Sequence, residues 1–407
     1  IEETQIEEIL VGQPKELQDV LKPYRLLYRQ NDEFFGTVSP SVLNELYSYL
    51  QSWQTSELEL IKSNQILSDE NMNEIIRTNN RVTMFFNEEV PLQVFSNVVS
   101  FNDKAIPGAS FTRLILDWST LETNNQLQLL FLNTEKRILY RTYADIVNTD
   151  KFLTEVIKPA KDYSPYVEVE RDSLRSLYVS KNPIQSTRYT YLIQEISPNL
   201  FKSIVFTQPK IVQRNIESEY SDRYTDDTSL MTVDTKNRIL NYVYPPAESI
   251  VPIPSSKLLK DSFDYINDHG GFTGDYRFSS MNIEKHITEY QLFLHGLPIY
   301  SNMTTTPTRI ITTWGENRIF RYRRPYYSIA TEGEVYREQK ELVSGEEVIE
   351  YIRNTDDSFK DIDEVVVGYY FAQDEAFILE PSWFTISNNE WTHISPERTG
   401  GIIDGLE

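Results

Sequence analysis

Two nine-residue stretches of this chain read almost alike: NRILNYVYP at 237–245 and NRIFRYRRP at 317–325. Both contain Asn-Arg-Ile, a tyrosine three residues after the isoleucine and a proline three residues after the tyrosine, and they begin 80 residues apart. Each stretch ends a segment that reads as strand, short polar turn and strand, which predicts a β-hairpin. The sequence therefore predicts that the same returning strand is built twice.

A helix and further strands are predicted after each hairpin. In the first copy, residues 255–271 place leucine, phenylalanine and isoleucine at helical spacing, and Gly270 is a natural C-terminal stop. In the second copy, residues 344–354 begin with Ser344 and Glu347, which are spaced as a capping box. The repeated order predicts two related modules, each an antiparallel sheet with a helix across it.

The first third of the chain mixes helical patches with strand-like runs, including a hairpin at 127–143 that precedes another helical pattern. The predicted fold class is therefore α+β, with three modules that each combine an antiparallel β-sheet with packed helices. We expect an N-terminal α+β domain at 1–185, a middle module at 186–283 and a C-terminal module at 284–407.

Composition narrows the class of protein. The chain has 407 residues, 40% of them hydrophobic, which is ample for folded cores. Its net charge of −22 would be repelled by phosphate, so nucleic acid is not expected as a partner. There is no cysteine, and four histidines leave little for a histidine-based metal site. The longest apolar runs fall far short of the roughly 20 residues of a membrane helix.

The usual catalytic spacings are missing from the sequence. It contains no GxSxG, GxxxxGK[ST], GxGxxG or HExxH motif, and only 14 glycines are available for phosphate-binding loops. We therefore expect no enzyme activity, no catalytic residue, no cofactor and no metal. The 61 acidic residues leave open a hydrolase that uses two paired carboxylates, although no two of them stand out as partners.

The second copy of the repeated strand is rich in arginine. Alternate residues of a strand face opposite sides, so Arg321 and Arg323 replace Asn241 and Val243 on one face. One explanation is a solvated sheet face or an edge protected by charge. Another is a surface that binds an acidic partner, since arginine and tyrosine are enriched in binding hot spots. The predicted contact strip consists of Arg318, Arg321, Tyr322, Arg323 and Arg324.

A third explanation is internal. The segment 331–364 carries 12 Asp or Glu against 4 Lys or Arg, and its carboxylates could satisfy those arginines within the same chain. The sequence leaves the three explanations open.

The carboxyl-terminal third also contains YQLFLHGLPIYS (290–301), VVVGYY (365–370) and LEPSWF (379–384) in order around the arginine-rich hairpin. With the layout of the whole chain, these stretches resemble the YycH family, accessory proteins of the bacterial YycG/YycF (WalK/WalR) two-component system that governs cell-wall metabolism. The layout of the two related modules is also similar to that of the partner protein YycI.

The resemblance implies a non-enzymatic regulator. It implies a single amino-terminal membrane helix, absent from this chain, and a large region on the extracytoplasmic side of the cell membrane, which agrees with a chain that begins at Ile1. It also implies association with a YycI-like protein and with a YycG/WalK-type sensor histidine kinase, whose activity is modulated. The alternative is an extracytoplasmic ligand-binding protein, in which tyrosine-rich faces line a pocket for a cell-wall fragment or peptide.

Overall fold

The strands of this protein form two large sheets, each with helices packed on it. The structure is a computed structural model, and it describes residues 11–61, 66–302, 307–355, 357–373 and 377–395. The predicted α+β class is confirmed. The two ends of the chain, which belong to the predicted first and last domains, lie outside the described residues.

The N-terminal sheet has 11 described strands in the order β11-β10-β2-β1-β5-β7-β8-β9-β3-β6, with β4 beside β9. All neighbours are antiparallel except β3 and β6. Its central strand β7 is buried along almost its whole length, as expected for the run FTRLILD. The strands are β1 Arg25–Gln30, β2 Glu33–Thr37, β3 Gln54–Thr55, β4 Glu59–Leu60, β5 Arg81–Pro91, β6 Ser100–Phe101, β7 Ser110–Asp117, β8 Gln126–Asn133, β9 Ile138–Asp145, β10 Ser164–Val169 and β11 Leu177–Ser180.

In the described residues, six short to medium α-helices accompany the N-terminal sheet. The longest, α2, begins with a proline in its first turn and buries Leu43, Leu46 and Leu50 at helical spacing. The helices are α1 Leu17–Val20, α2 Pro40–Ser52, α3 Asp69–Arg77, α4 Leu92–Phe95, α5 Leu121–Asn124 and α6 Thr149–Phe152.

The C-terminal sheet has 14 described strands in the order β13-β14-β15-β16-β21-β20-β18-β19-β23-β24-β12-β22, with β17 beside β18 and β25 beside β24. Only β19 and β23 are parallel neighbours among these described strands. The strands are β12 Ile184–Glu195, β13 Gln213–Ser218, β14 Ser221–Thr225, β15 Leu230–Asp234, β16 Ile239–Val243, β17 Asp275–Asn282, β18 Ile287–Leu294, β19 Leu297–Tyr300, β20 Arg309–Trp314, β21 Ile319–Pro325, β22 Tyr327–Leu342, β23 Glu364–Gln373, β24 Phe377–Ser387 and β25 Glu390–Ile394. Its helices are α7 Pro198–Val205, α8 Ser255–Asp268 and α9 Gly345–Thr355.

The two predicted hairpins are present as β15–β16 and β20–β21, and they lie next to each other. Strand β16 pairs with β21 in antiparallel fashion, and Tyr242 stands directly opposite Tyr322, its equivalent in the repeat. Asn241 is opposite Arg323, and Val243 is opposite Arg321. This register places a local two-fold axis between the two tyrosines, because a residue before one tyrosine stands opposite the residue equally far after the other. Strands from the predicted middle and C-terminal modules therefore belong to one sheet, and the domain boundaries stay a prediction.

The helices predicted after the hairpins are also present. Helix α9 begins as expected, because the Ser344 hydroxyl accepts a hydrogen bond of 3.3 Å from the backbone N–H of Glu347. Helix α8 packs on β18 and β20, while α9 packs on β11 of the N-terminal sheet. The second helix therefore joins the two sheets, with Val348 and Ile352 in one apolar cluster with Val179.

A buried ionic cluster also joins the sheets. Glu364, the first residue of β23, binds Arg25 of β1 at 3.3 Å and Arg113 of β7 at 2.8 Å. Both guanidinium groups also lie against Phe85, at 4.2 and 4.5 Å from the centre of its ring. The three charged residues are at most 8% exposed. We call Arg25, Arg113 and Glu364 the junction triad.

The close approach of α9 to β11 depends on glycine at position 345. A Cβ atom there would lie 2.3 Å from the Val179 Cβ and 2.8 Å from the Ser180 nitrogen. We expect Gly345→Ala to lower the free energy of unfolding by about 1–3 kcal/mol, because the helix must move away from the strand. Gly108→Ala is the matched control, since nothing lies within 4 Å of its Cβ position. Equal urea denaturation midpoints for the two variants would contradict this packing.

Removing the shared carboxylate should destabilise the junction. Glu364→Gln leaves Arg25 and Arg113 buried without their common counter-charge, so we expect a loss of about 3–5 kcal/mol in the free energy of unfolding. The control is Glu59→Gln, which breaks the ion pair of 2.7 Å with Arg141 at a carboxylate that is 61% exposed. That exposed pair should contribute at most about 1 kcal/mol. A similar loss for both variants, measured by urea denaturation, would show that the junction triad does not hold the sheets.

Candidate functional site

The arginine-rich strand β21 lies inside the C-terminal sheet. It has β16 on one side and β20 on the other, so its arginines do not protect a free edge. Of the explanations that the sequence left open, edge protection is thus wrong. A solvated sheet face and a contact surface both remain consistent with this position.

Two residues of the predicted strip point into the core. Tyr322 and Arg324 are both 0% exposed, which corrects their prediction as contact residues. The Arg324 guanidinium donates hydrogen bonds to the Gly271 carbonyl at 2.9 Å and to the Tyr322 hydroxyl at 2.7 Å. It also lies 4.9 Å from the ring centre of Phe201, while the ring of Tyr265 meets Tyr322 edge to face. Helices α7 and α8 cover this face, so these two side chains have a structural role.

The other three residues of the strip reach the surface to different degrees. Arg321 is exposed, and Arg318 and Arg323 are partly buried. The Arg318 guanidinium lies 3.7 Å from the ring centre of Tyr244, which is a close cation–π contact. Burial lowers the pKa of the Arg323 guanidinium, the positive charge of Arg309 adds to the lowering, and Asp234 opposes it.

Arg321 and Arg323 belong to a continuous patch on the face of the sheet opposite the buried tyrosines. Their neighbours across the strands are apolar or uncharged polar residues, and they come from both copies of the repeat. Asn241, Val243, Arg321 and Arg323, which differ between the copies and share this face, thus lie side by side around the two-fold axis. We define the outer patch as Arg321 and Arg323 with Leu230, Thr232, Asn241, Val243, Ile311 and Thr313.

The acidic segment 331–364 uses several of its carboxylates elsewhere. Glu338 binds Arg188 at 3.3 Å, and Glu364 holds the junction triad. Asp363 binds Arg175 at 3.4 Å. These carboxylates therefore neutralise arginines other than those of the outer patch.

The structure contains a second candidate site, whose residues were not predicted from the sequence. A cavity of about 440 Å³ lies between the two sheets and takes part of its wall from each. Its lining includes Arg25 of the junction triad and a group of aromatic side chains, namely Tyr24, Tyr163, Tyr166, Tyr300 and Trp383. These residues come from distant segments, so the tyrosine-rich composition was the one available signal. We call this space the junction cavity.

A smaller cavity of about 330 Å³ lies on the other side of the junction triad and contains several carboxylates. Glu88 accepts hydrogen bonds from the Met281 backbone at 3.1 Å and from the Asn389 side chain at 3.0 Å. Burial raises the pKa of Glu88, and these hydrogen bonds oppose the increase. Its neighbour Glu89 binds Lys136 at 3.2 Å. The carboxylates of this cavity therefore hold strands and turns together.

The residues that the structure describes contain neither a metal-binding cluster nor a membrane-spanning helix. No group of three or more histidine, aspartate or glutamate side chains is arranged to hold a metal ion there. Within the same part of the chain, no helix is long and apolar enough to cross a membrane.

Comparisons with known proteins identify relatives of this chain. The model of the YycH protein N-terminal domain matches residues 1–163, and that of the YycH protein C-terminal domain matches residues 174–399. The chain is similar to the "Two-component system WalR/WalK regulatory protein YycH" of Bacillus subtilis (strain 168), with 21% identity over 341 residues. That alignment covers 80% of this chain and 73% of the relative.

The fold is similar to the crystal structure of YycH from Bacillus subtilis, with a TM-score of 0.80 and 17% identity. The superposition covers 96% of this chain and 100% of the solved one. This likeness concerns the fold, whereas the two family models identify the sequence itself. Because those models together span most of the chain, the family resemblance is confirmed, and the protein belongs to the YycH family.

Proposed function

We propose that this protein is a non-enzymatic regulator of a WalK/WalR-type two-component system and acts through protein contacts. The observation that carries the proposal is the match of both YycH domains along the chain, together with a relative named as a WalR/WalK regulatory protein. The finer features of the proposal follow the family. They are an amino-terminal membrane anchor, a position outside the cytoplasm, and a YycI-like partner that acts with it on the sensor kinase.

The carboxylates at the junction support a structural rather than a catalytic role. Glu364 holds two arginines, and Glu88 holds the Met281 backbone and the Asn389 side chain. A pair of acids that hydrolyses a glycosidic bond must leave its oxygens available to substrate and water. The bonds of these two carboxylates therefore argue against them as the acid pair of a hydrolase.

The outer patch supports a contact surface. It combines arginine with half-buried apolar residues on one face of the sheet, a composition typical of interfaces. The chain as a whole has a charge of −22, and these two arginines offer an acidic partner a local positive site on it. We propose Arg321 and Arg323 as contacts for the YycI-like protein, whereas Arg318 lies on the same side of the sheet as Tyr265 and His269 and is not part of this surface.

A second candidate function is the binding of a small extracytoplasmic ligand. The junction cavity favours it, because about 440 Å³ lined by aromatic and polar side chains falls within the usual range of ligand pockets. The two functions are compatible, since the junction cavity and the outer patch occupy different parts of the molecule.

The regulatory role predicts a change in signalling in the host cell. Deletion of the gene for this protein should change the phosphorylated fraction of the WalR-type response regulator, because the kinase loses a protein that biases its activity. The measurement is phosphate-affinity electrophoresis of the response regulator, and the control is the deletion strain that carries the gene on a plasmid. An unchanged fraction in the deletion strain would rule out the regulator.

The contact strip predicts a specific loss of binding. The double variant Arg321→Glu and Arg323→Glu should weaken binding of the 407-residue chain to the YycI-like protein of the same host at least about ten-fold, or about 1.4 kcal/mol. The fold should survive, because both side chains lie on the opposite side of the sheet from the face that α7 and α8 cover. Binding is measured by calorimetry at low and high salt, since contact between charged surfaces weakens as salt rises.

The matched control reverses the same charges elsewhere. Lys104→Glu and Lys210→Glu change the net charge by the same amount at two exposed positions outside the outer patch, and this variant should bind like the wild type. Equal binding by the wild type and the arginine variant would reject the strip but keep the partner. Absence of binding by the wild-type chain would reject direct contact with the YycI-like protein.

A further inference from the structure

Much of the wall of the junction cavity is apolar, and it comes from both sheets. Several of its aliphatic side chains are only half-buried, so they keep surface that a ligand can cover. Water beside such side chains has few hydrogen-bond partners, and an apolar group that displaces it gains affinity. The half-buried aliphatic residues of the wall are Val38, which follows β2 of the N-terminal sheet, and Ile184, Leu297, Val367 and Ile386 of the C-terminal sheet.

The described residues of the wall include two charged side chains, and neither offers a charge to a ligand deep in the cavity. Arg25 donates hydrogen bonds to the Tyr178 carbonyl at 2.9 Å and to Glu364 at 3.3 Å. Arg25 is 4% exposed, so a ligand meets almost none of its surface. Asp162 is exposed, as is the nearby Ser164 of the same wall, which places the mouth of the cavity at these residues. A charged group that enters the cavity would lose its hydration without gaining a counter-charge.

Tyr300 supplies a polar group inside the cavity. Its ring packs edge to face on Phe384 and stacks on Trp391, at 4.8 and 5.2 Å between ring centres. The side chain is 7% exposed, and its hydroxyl makes no hydrogen bond with another described residue. The hydroxyl is not sealed from solvent, and the space that Tyr300 lines is the junction cavity. Burial raises the pKa of this hydroxyl, so it is a neutral group that can bind a hydroxyl or carbonyl of a ligand.

The volume of the cavity limits the size of the ligand. An apolar cavity of about 150 Å³ holds one benzene molecule. The junction cavity, with about 440 Å³, therefore has room for roughly three times as many atoms, on the order of 18 non-hydrogen atoms. An aliphatic chain of about ten to twelve carbons with one polar end fits within that limit.

We propose that the junction cavity binds an uncharged, mainly apolar molecule with one hydroxyl or carbonyl group, such as a long-chain alcohol. The chain packs on the aliphatic and aromatic side chains of the two sheets, and the polar end makes a hydrogen bond with the Tyr300 hydroxyl. The proposal rests on the second candidate function and deepens it, and it does not depend on the outer patch. A bound molecule contacts both sheets, so it stabilises their junction.

The test uses the 407-residue chain, the uncharged fluorescent probe N-phenyl-1-naphthylamine and three competitors of equal chain length, all below the concentrations at which they form micelles. We expect the fluorescence of the probe to increase on binding. The uncharged competitor 1-decanol should displace the probe and raise the melting temperature. Decanoate and decylammonium should displace it at least about ten-fold less well, because each must desolvate a charge.

Two pairs of variants locate the binding site. Ile184→Trp fills the cavity and should abolish binding, whereas Ile216→Trp, at a position of β13 that is 73% exposed, should leave it unchanged. Tyr300→Phe keeps the ring but removes the hydroxyl, so it should weaken binding of 1-decanol about three-fold or more while the melting temperature without ligand changes little. The control Tyr220→Phe removes a hydroxyl from a side chain that is 50% exposed and should bind like the wild type. If Ile184→Trp fails to fold, the pair of phenylalanine variants still decides the location.

Several results would overturn the proposal. Tighter binding of decanoate than of 1-decanol would keep a small-ligand site but reject an uncharged ligand, and tighter binding of decylammonium would place the polar end at Asp162. Equal binding of 1-decanol by Tyr300→Phe and the wild type would reject the tyrosine hydroxyl as the polar contact. Unchanged binding by Ile184→Trp would place the ligand elsewhere. Binding of none of the four molecules would count against the second candidate function as well, and none of these results bears on binding to the YycI-like protein.

Discussion

The junction triad is the constraint on which the relation of the two sheets depends. Arg25 and Arg113 belong to the N-terminal sheet, and their shared partner Glu364 lies 339 and 251 residues further along the chain. Buried guanidinium groups are costly without a counter-charge, so the N-terminal sheet needs the C-terminal one to bury these residues. The pairing therefore sets the position of β23 against β1 and β7. Because both cavities border the triad, it also sets their shape.

The local two-fold axis explains why the same strand occurs twice. Tyr242 and Tyr322 face each other across β16 and β21, and each packs on an aromatic residue from a nearby helix region, Phe206 and Tyr265 respectively. The residues that the two copies share thus include a buried tyrosine at the axis in each copy. The turns differ, because the left-handed residue is Arg238 in the first hairpin and Asn317 in the second. The same Asn-Arg-Ile sequence therefore fits two turn geometries, and its conformation depends on the surrounding sheet.

Local pattern predicted the parts of the fold that local interactions determine. The hairpins, helix α8 and the Ser344 cap follow from residue spacing and turn chemistry, and all are present. The partners of each element depend on distant residues, so the sequence did not reveal that the two hairpins form one sheet. Alternation correctly placed Arg321 opposite in direction to Arg324, yet it could not tell which face was buried. Helices α7 and α8 decide that face, as they supply the rings over Arg324 and Tyr322.

The outer patch and the junction cavity are linked by a continuous ladder. Strand β19 lines the cavity and pairs with β18, which pairs with β20, the neighbour of β21. Such a ladder gives contiguity, but coupling between two sites also requires an element with two arrangements. Dense packing resists a second arrangement within each core, whereas the junction has about 440 and 330 Å³ of open space on either side of a single ionic cluster. A ligand in the junction cavity would therefore act on the relation between the two sheets. The outer patch would change its position together with the C-terminal sheet, to which it belongs.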